Sequence, residues 1–247
     1  MRSAIVRLGL TATGLVYVAM GVVAARVAFL GARNRDEGVP GAVRFLLEQP
    51  KGAWLLGAVV AGLVGIAVVH AVEAATRRRG LGTRLGQAVG AVSYGALAWT
   101  AARLLLHLGR GGPSLESSGI SWLLSAPGGE ALLEIVAGAV IVGGLWEIAQ
   151  GLRGPAKAAR PPRALARGLS WVARFGLIAR GSVLAGVGYF LFLAAEESDP
   201  RRARTLGGVL RSFSHTALGP WLMGVIGLGL AAYGVHLWSL ALWKRRV

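Results

Sequence analysis

The chain spells one long pattern three times. Arg7-Leu8-Gly9, Arg84-Leu85-Gly86 and Arg174-Phe175-Gly176 each open an apolar run, followed by a polar link and a second apolar run. A shift of 167 residues, without a gap, lays Trp54-Leu55-Leu56-Gly57 on Trp221-Leu222-Met223-Gly224. It also brings Gly14, Gly21, Gly41, Arg44 and Gly52 onto Gly181, Gly188, Gly208, Arg211 and Gly219. A shift of 77 superposes Phe45-Leu46-Leu47 on Trp122-Leu123-Leu124, Pro50 on Pro127, Gly52 on Gly129 and Arg26 on Arg103. Repetition at this spacing marks a tandem array of one structural unit. Any fold for this chain must therefore be buildable from three copies of a two-segment piece.

The medium around that piece follows from its length and apolarity. Crossing a bilayer takes ~20 predominantly apolar residues in a helix. Six stretches qualify: about 8–30, 53–75, 85–108, 131–152, 175–195 and 219–243. The 247 residues are 54% hydrophobic and 15% charged, with 38 glycines spread through the apolar runs. Glycine there would weaken a helix in water, whereas membrane helices use it to approach one another closely. The expected fold is all-α and polytopic: six transmembrane helices as three tandem hairpins, with units 7–76, 84–152 and 174–243 and a basic cytoplasmic linker at 153–173. The first run could pass for a cleaved signal peptide. Its counterpart at 175–195 is internal, so a retained first helix is expected.

The net charge of +16 would suggest nucleic acid in a soluble protein. The placement of the charges argues otherwise. With six spans, one side carries Arg2, Arg7, Arg77, Arg78, Arg79, Arg84, Arg153, Lys157, Arg160, Arg163, Arg167, Arg174, Lys244, Arg245 and Arg246, and no Asp or Glu. Short basic links stay in the cytoplasm. Both termini are thus expected inside, in an inner (plasma) membrane, with the basic rim against anionic lipid headgroups. No aromatic–basic interleaving supports a nucleic-acid platform. There is no cysteine, hence no disulfide and no thiolate metal site.

The outward links carry a recurring short segment at 41–47, 119–124 and 208–213. Each is too short to span and is expected to lie as an interfacial cap or to dip back into the protein. The linker is expected to hold a short surface helix around 163–174.

Three such two-helix units, each opening Arg-[Leu/Phe]-Gly and each with a Leu-rich segment leading to a Gly-rich second helix, resemble domain-of-unknown-function family 1206. The resemblance covers nearly the whole chain, from Arg7 to Trp243. The second repeat departs most, with Ala131 in place of Trp54 and Trp221 and Glu134 in place of Gly57 and Gly224. The resemblance implies bacterial six-helix membrane proteins and no particular activity.

Charges inside spans are costly and are the first residues to consider for function. Arg103 and Glu134 should lie at similar depth on the two helices of the second hairpin, and Arg180 and Glu147 likewise across the linker. Two interhelical ion pairs are expected, Arg103–Glu134 and Arg180–Glu147. His70 and His236 sit at comparable depth, but one residue out of register, which disfavours a shared haem and favours separate hydrogen-bonded roles. Gly57, Ala61 and Gly65, with a weaker equivalent at Ala139 and Gly143, form smooth stripes expected at helix–helix contacts, with homo-oligomer contact as the alternative. No nucleotide loop, zinc motif or catalytic carboxylate pair is present, so no catalytic, cofactor or metal residues are assigned. The expected function is non-enzymatic, by packing, lipid contact or partner binding. The alternative is a small transporter or channel between the hairpins.

Overall fold

The computed structural model describes residues 2–30, 39–75, 81–106, 115–154, 162–199, 209 and 219–243. Eight helices of these residues carry the fold: α1 (Arg2–Leu30), α2 (Val39–Leu47), α3 (Gly52–Ala75), α4 (Leu81–Leu105), α5 (Leu115–Ser125), α6 (Gly129–Arg153), α7 (Arg163–Glu196) and α8 (Gly219–Trp243). In hydrocarbon a helix satisfies its own backbone groups, which is why apolar runs rich in Gly and Val stay helical here. Among the described residues, five helices are long and apolar enough to cross a membrane: α1, α3, α6, α7 and α8. The remaining long helix, α4, has 25 residues and is less apolar, carrying Arg84, Gln87 and Arg103. The protein is an all-α polytopic membrane protein.

Side-by-side packing follows the order α4, α3, α1, α8, α7, α6. The most extensive contacts join the first helix of one repeat to the second helix of the preceding one: α1 with α8, α7 with α6 and α4 with α3. Those three interfaces are equivalent under the shifts of 77 and 167, so the repeats follow one another around a pseudo-threefold axis. Contacts inside a hairpin are smaller, between α1 and α3 and between α7 and α8. The middle hairpin is different. Among the described residues α4 and α6 do not form a packed pair, which leaves an open seam in the ring.

Glycine explains which interfaces close. In the α6/α7 interface a Cβ on Gly144 would lie 2.6 Å from the Gly181 carbonyl oxygen. The equivalent pair in α1/α8 is Gly14 and Gly234, where a Cβ on Gly234 would lie 2.5 Å from the Gly14 oxygen. Two turns on, a Cβ on Gly21 would lie 2.4 Å from the Gly227 oxygen. Such contacts let dispersion between backbones replace the hydrophobic drive that lipid removes. In the α3/α4 interface the same positions hold Ala67 with Ala91, and Val60 with Ala98. Side chains thus stand where the α1/α8 interface has four glycines.

The repeated Arg-x-Gly opening is now intelligible. Its glycine faces the second helix of its own hairpin: a Cβ on Gly9 would meet Ile66 Cβ at 2.6 Å, and one on Gly176 would meet the Tyr233 nitrogen at 2.5 Å. Its arginine reaches the end of the preceding repeat. Arg84 Nε donates to the Ala74 carbonyl at 2.9 Å, so a cation caps the carbonyl end of α3.

Two expectations change. The 163–174 helix is not a separate surface element but the first third of α7, whose 34 residues run through without a break. At ~1.5 Å per residue α7 is ~51 Å long, well beyond the ~30 Å hydrocarbon layer. Of the stripe of Gly57, Ala61 and Gly65, the first two do not meet another helix, since Ala61 is exposed and nothing lies within 4 Å of a Cβ on Gly57, while Gly65 is half-buried. Ala139 and Gly143 are likewise exposed, because α6 packs on α7 through its other face. Of the three expected short outward segments, α2 and α5 are present, and the third, at 208–213, lies outside the described residues apart from buried Val209. Most of the linker, 155–161, also lies outside them.

Candidate functional site

The polar residues of the spans gather where the repeats meet. Arg180, midway along α7, is the centre. Its NH1 pairs with Glu147 Oε1 on α6, and its Nε donates to the Tyr17 hydroxyl on α1 at 2.8 Å. The guanidinium carbon lies 4.9 Å from the Tyr233 ring centroid on α8 and 5.7 Å from that of Tyr17. The two tyrosine rings meet edge to face, 4.9 Å apart at 76°. One side chain therefore ties four helices together. Both members of the ion pair are about one-fifth exposed, 20% and 19%. A charge at this depth is retained only when paired and hydrogen-bonded. Glu147 Oε2 is buried with no hydrogen-bond partner.

The pseudo-threefold axis puts a second polar group at the matching place. Glu147 is equivalent to His70, and Arg180 to Gly90. Where Gly90 leaves room, the His70 ring moves in, its Nδ1 3.1 Å from where a Cβ on Gly90 would stand. His70 Nδ1 hydrogen-bonds Gln87 Oε1, and the ring stacks on Tyr94 at 5.4 Å and 11°. In the third interface the matching residues are Leu237 and Thr13, and Thr13 bonds back to the Gly9 carbonyl at 2.8 Å.

Arg180 and Glu147 are thus brought together across the linker. Arg103 and Glu134 are not. Arg103 is on α4, which packs on α3, while Glu134 is exposed on α6, which packs on α7; among the described residues neither has an ion-pair partner. His70 and His236 stand in different surroundings, since His236 neighbours Tyr233 at 6.3 Å between ring centroids. No group of three or more His, Cys, Asp or Glu able to hold a metal ion exists among the described residues. The sequence reading passed over Tyr17, Tyr94, Tyr233 and Gln87. A signal was available for two of them, since a shift of 77 lays Tyr17 on Tyr94.

An apolar cavity lies elsewhere, in the α3/α4 interface. It has a volume of about 260 Å³ and is lined by Val60, Ala67, Gly95, Ala98, Trp99 and Ala102, among others. It does not include Glu147 or Arg180.

Three tandem matches to one family, described as Domain of Unknown Function (DUF1206), fall on residues 8–77, 85–154 and 175–244. The chain belongs to the DUF1206 family. Its three repeats are three copies of that domain. It is also similar to "Uncharacterized protein YxxB" of Bacillus subtilis (strain 168), at 29% identity over 241 residues, covering 93% of this chain and 86% of the relative. No solved structure matches the chain. In the DUF1206 frame, Glu147 and Arg180 fall in the second and third copies, so the pair joins two domains.

Proposed function

We propose that this is a non-enzymatic integral membrane protein that works by contact with lipids or with other membrane proteins. The observation that carries the reading is the closure of the polar centre on itself. Arg180 spends its charge on Glu147, Tyr17 and the Tyr233 ring, and the apolar cavity between α3 and α4 is lined by none of them. The outward surfaces are suited to contact: exposed Val142, Leu145 and Trp146 on α6, and the unused small-residue stripes on α3 and α6. A homo-oligomer through those stripes belongs to this reading. The protein sits in the plasma membrane with both termini cytoplasmic, the basic rim of Arg84, Arg153, Arg167 and Arg174 at anionic headgroups.

One observation favours a second reading, a small transporter. Glu147 is an intramembrane carboxylate whose Oε2 is buried with no hydrogen-bond partner among the described residues, which leaves that oxygen free to take a proton. Reconstitution into liposomes separates the two. The first reading expects ion and proton leak no greater than in protein-free vesicles for parent and Glu147→Gln alike. A flux present in the parent and abolished by Glu147→Gln would establish the second.

A further inference from the structure

The α3/α4 interface differs from its two counterparts in one respect. Where they bring backbones together at Gly144 with Gly181 and at Gly14 with Gly234, it holds Ala67 with Ala91, and where Gly21 meets Gly227 it holds Ala98 with Val60. The space so created is the apolar groove of about 260 Å³. It runs between the middle of the bilayer and the end of the bundle that carries α2 and α5. At that end stands Arg103, four residues beyond Trp99 and so on the same face of α4, one turn past the groove. The equivalent arginine of the first repeat, Arg26, lies over the ring of Phe45 at 5.9 Å. Phe45 is matched in the second repeat by Trp122, which is exposed on α5. Because α5 packs on α6 and not on α4, Arg103 is left half-buried with no ion-pair or hydrogen-bond partner among the described residues.

The geometry points to a phospholipid site: an acyl chain of the leaflet on the α2 side lies in the groove, with its phosphate on Arg103. An apolar groove with one cation near its mouth matches an amphiphile that carries an anionic group at the end of an alkyl chain. The inference deepens the lipid-contact reading above, and it concerns one bound lipid rather than the general headgroup attraction of the basic rim.

Gly95 provides the test, because nothing lies within 4 Å of a Cβ placed there and a larger side chain fills the groove without clash. The full chain, loaded with phosphatidylglycerol in mild detergent, is exchanged into lipid-free detergent, and retained lipid is counted by native mass spectrometry. The parent keeps one phosphatidylglycerol per chain. Gly95→Leu lowers retention about tenfold or more, since the alkyl chain loses its van der Waals contacts with the groove walls. Arg103→Gln lowers it about fivefold. Gly138→Leu, which adds the same bulk to an open position on α6, leaves it unchanged. Inorganic phosphate does not compete, lacking the chain. Undiminished retention in Gly95→Leu, equal loss in Gly138→Leu, or no lipid on the parent overturns the site. Undiminished retention in Arg103→Gln overturns the headgroup contact. Clustering of anionic lipid around the reconstituted protein through the basic rim is unaffected by Gly95→Leu, so loss of this site and loss of the broader reading give different results.

Discussion

Gly144 and Gly181 each leave the other no room for a side chain: a Cβ on either would come 2.6 Å from the other's carbonyl oxygen. The contact joins the second repeat to the third and recurs between the third and the first as Gly234 and Gly14. This reciprocal contact of two glycines falls between hairpins.

Gly144→Val should therefore be severely disruptive. Overpacking a close contact costs about 1–3 kcal/mol where side chains can yield, and here the obstacle is backbone. Thermal unfolding in detergent should show a large loss for Gly144→Val and almost none for Gly138→Val, where the space is open. Equal loss from both would mean that valine at any glycine of α6 is harmful and that the contact is not special.

Removing one member of the Arg180–Glu147 pair should cost more than removing both. An uncompensated charge left at this depth destabilises by about 3–5 kcal/mol, whereas an apolar pair of similar volume is often neutral. Arg180→Gln leaves Glu147 without its cation, so it should be worse than the double change Arg180→Leu with Glu147→Leu. Glu147→Gln should fall between the two, because Arg180 loses its counter-ion but keeps the Tyr17 hydroxyl and two ring faces. A double-mutant cycle in detergent checks the ranking.

Lys51 occupies the left-handed region, with φ 63°, and the matching residue of the second repeat is Gly128, with φ 74°. Both are the third residue of the same turn, in which the Gly52 nitrogen donates to the Gln49 carbonyl at 2.8 Å and the Gly129 nitrogen to the Ala126 carbonyl at 2.9 Å. A side chain costs about 1–2 kcal/mol in this conformation. Lys51→Gly should raise the unfolding temperature slightly, and Gly128→Val should lower it.

Reporter fusions test the orientation. A reporter that is active only in the cytoplasm, joined after Val247, should be active, and one placed in the outward link near residue 35 should be silent. Replacing Arg77, Arg78 and Arg79 by Gln should weaken the bias, since short basic links set it.

Much of this architecture was legible in the residues. The shifts of 77 and 167 reveal three units, and the spacing of apolar runs gives their helices. Arg180 with Glu147 was also readable, because both lie near the end where α6 and α7 are connected. The Arg103–Glu134 expectation rested on the assumption that helices joined by a short outward link are neighbours. In the first and third repeats they are, through Gly9 and Gly176. In the second, Glu134 ends up on an exposed face, because α6 is drawn to α7 by Gly144 and Gly151 and α4 to α3. Which of two possible glycine contacts a helix makes depends on the competition between partners, and a pattern read along one helix does not reveal it. The role of Tyr17 was hidden for a similar reason. Its hydroxyl meets Arg180 across 163 residues of chain.

The pairing of α1 with α8 has a consequence for biogenesis. α1 finds its principal partner, α8, only once the third repeat has been made. Until then the notches at Gly14 and Gly21 stand open to lipid or to another helix. Assembly of the three repeats therefore waits for α8, and a nascent chain lacking α8 would carry an unsealed α1.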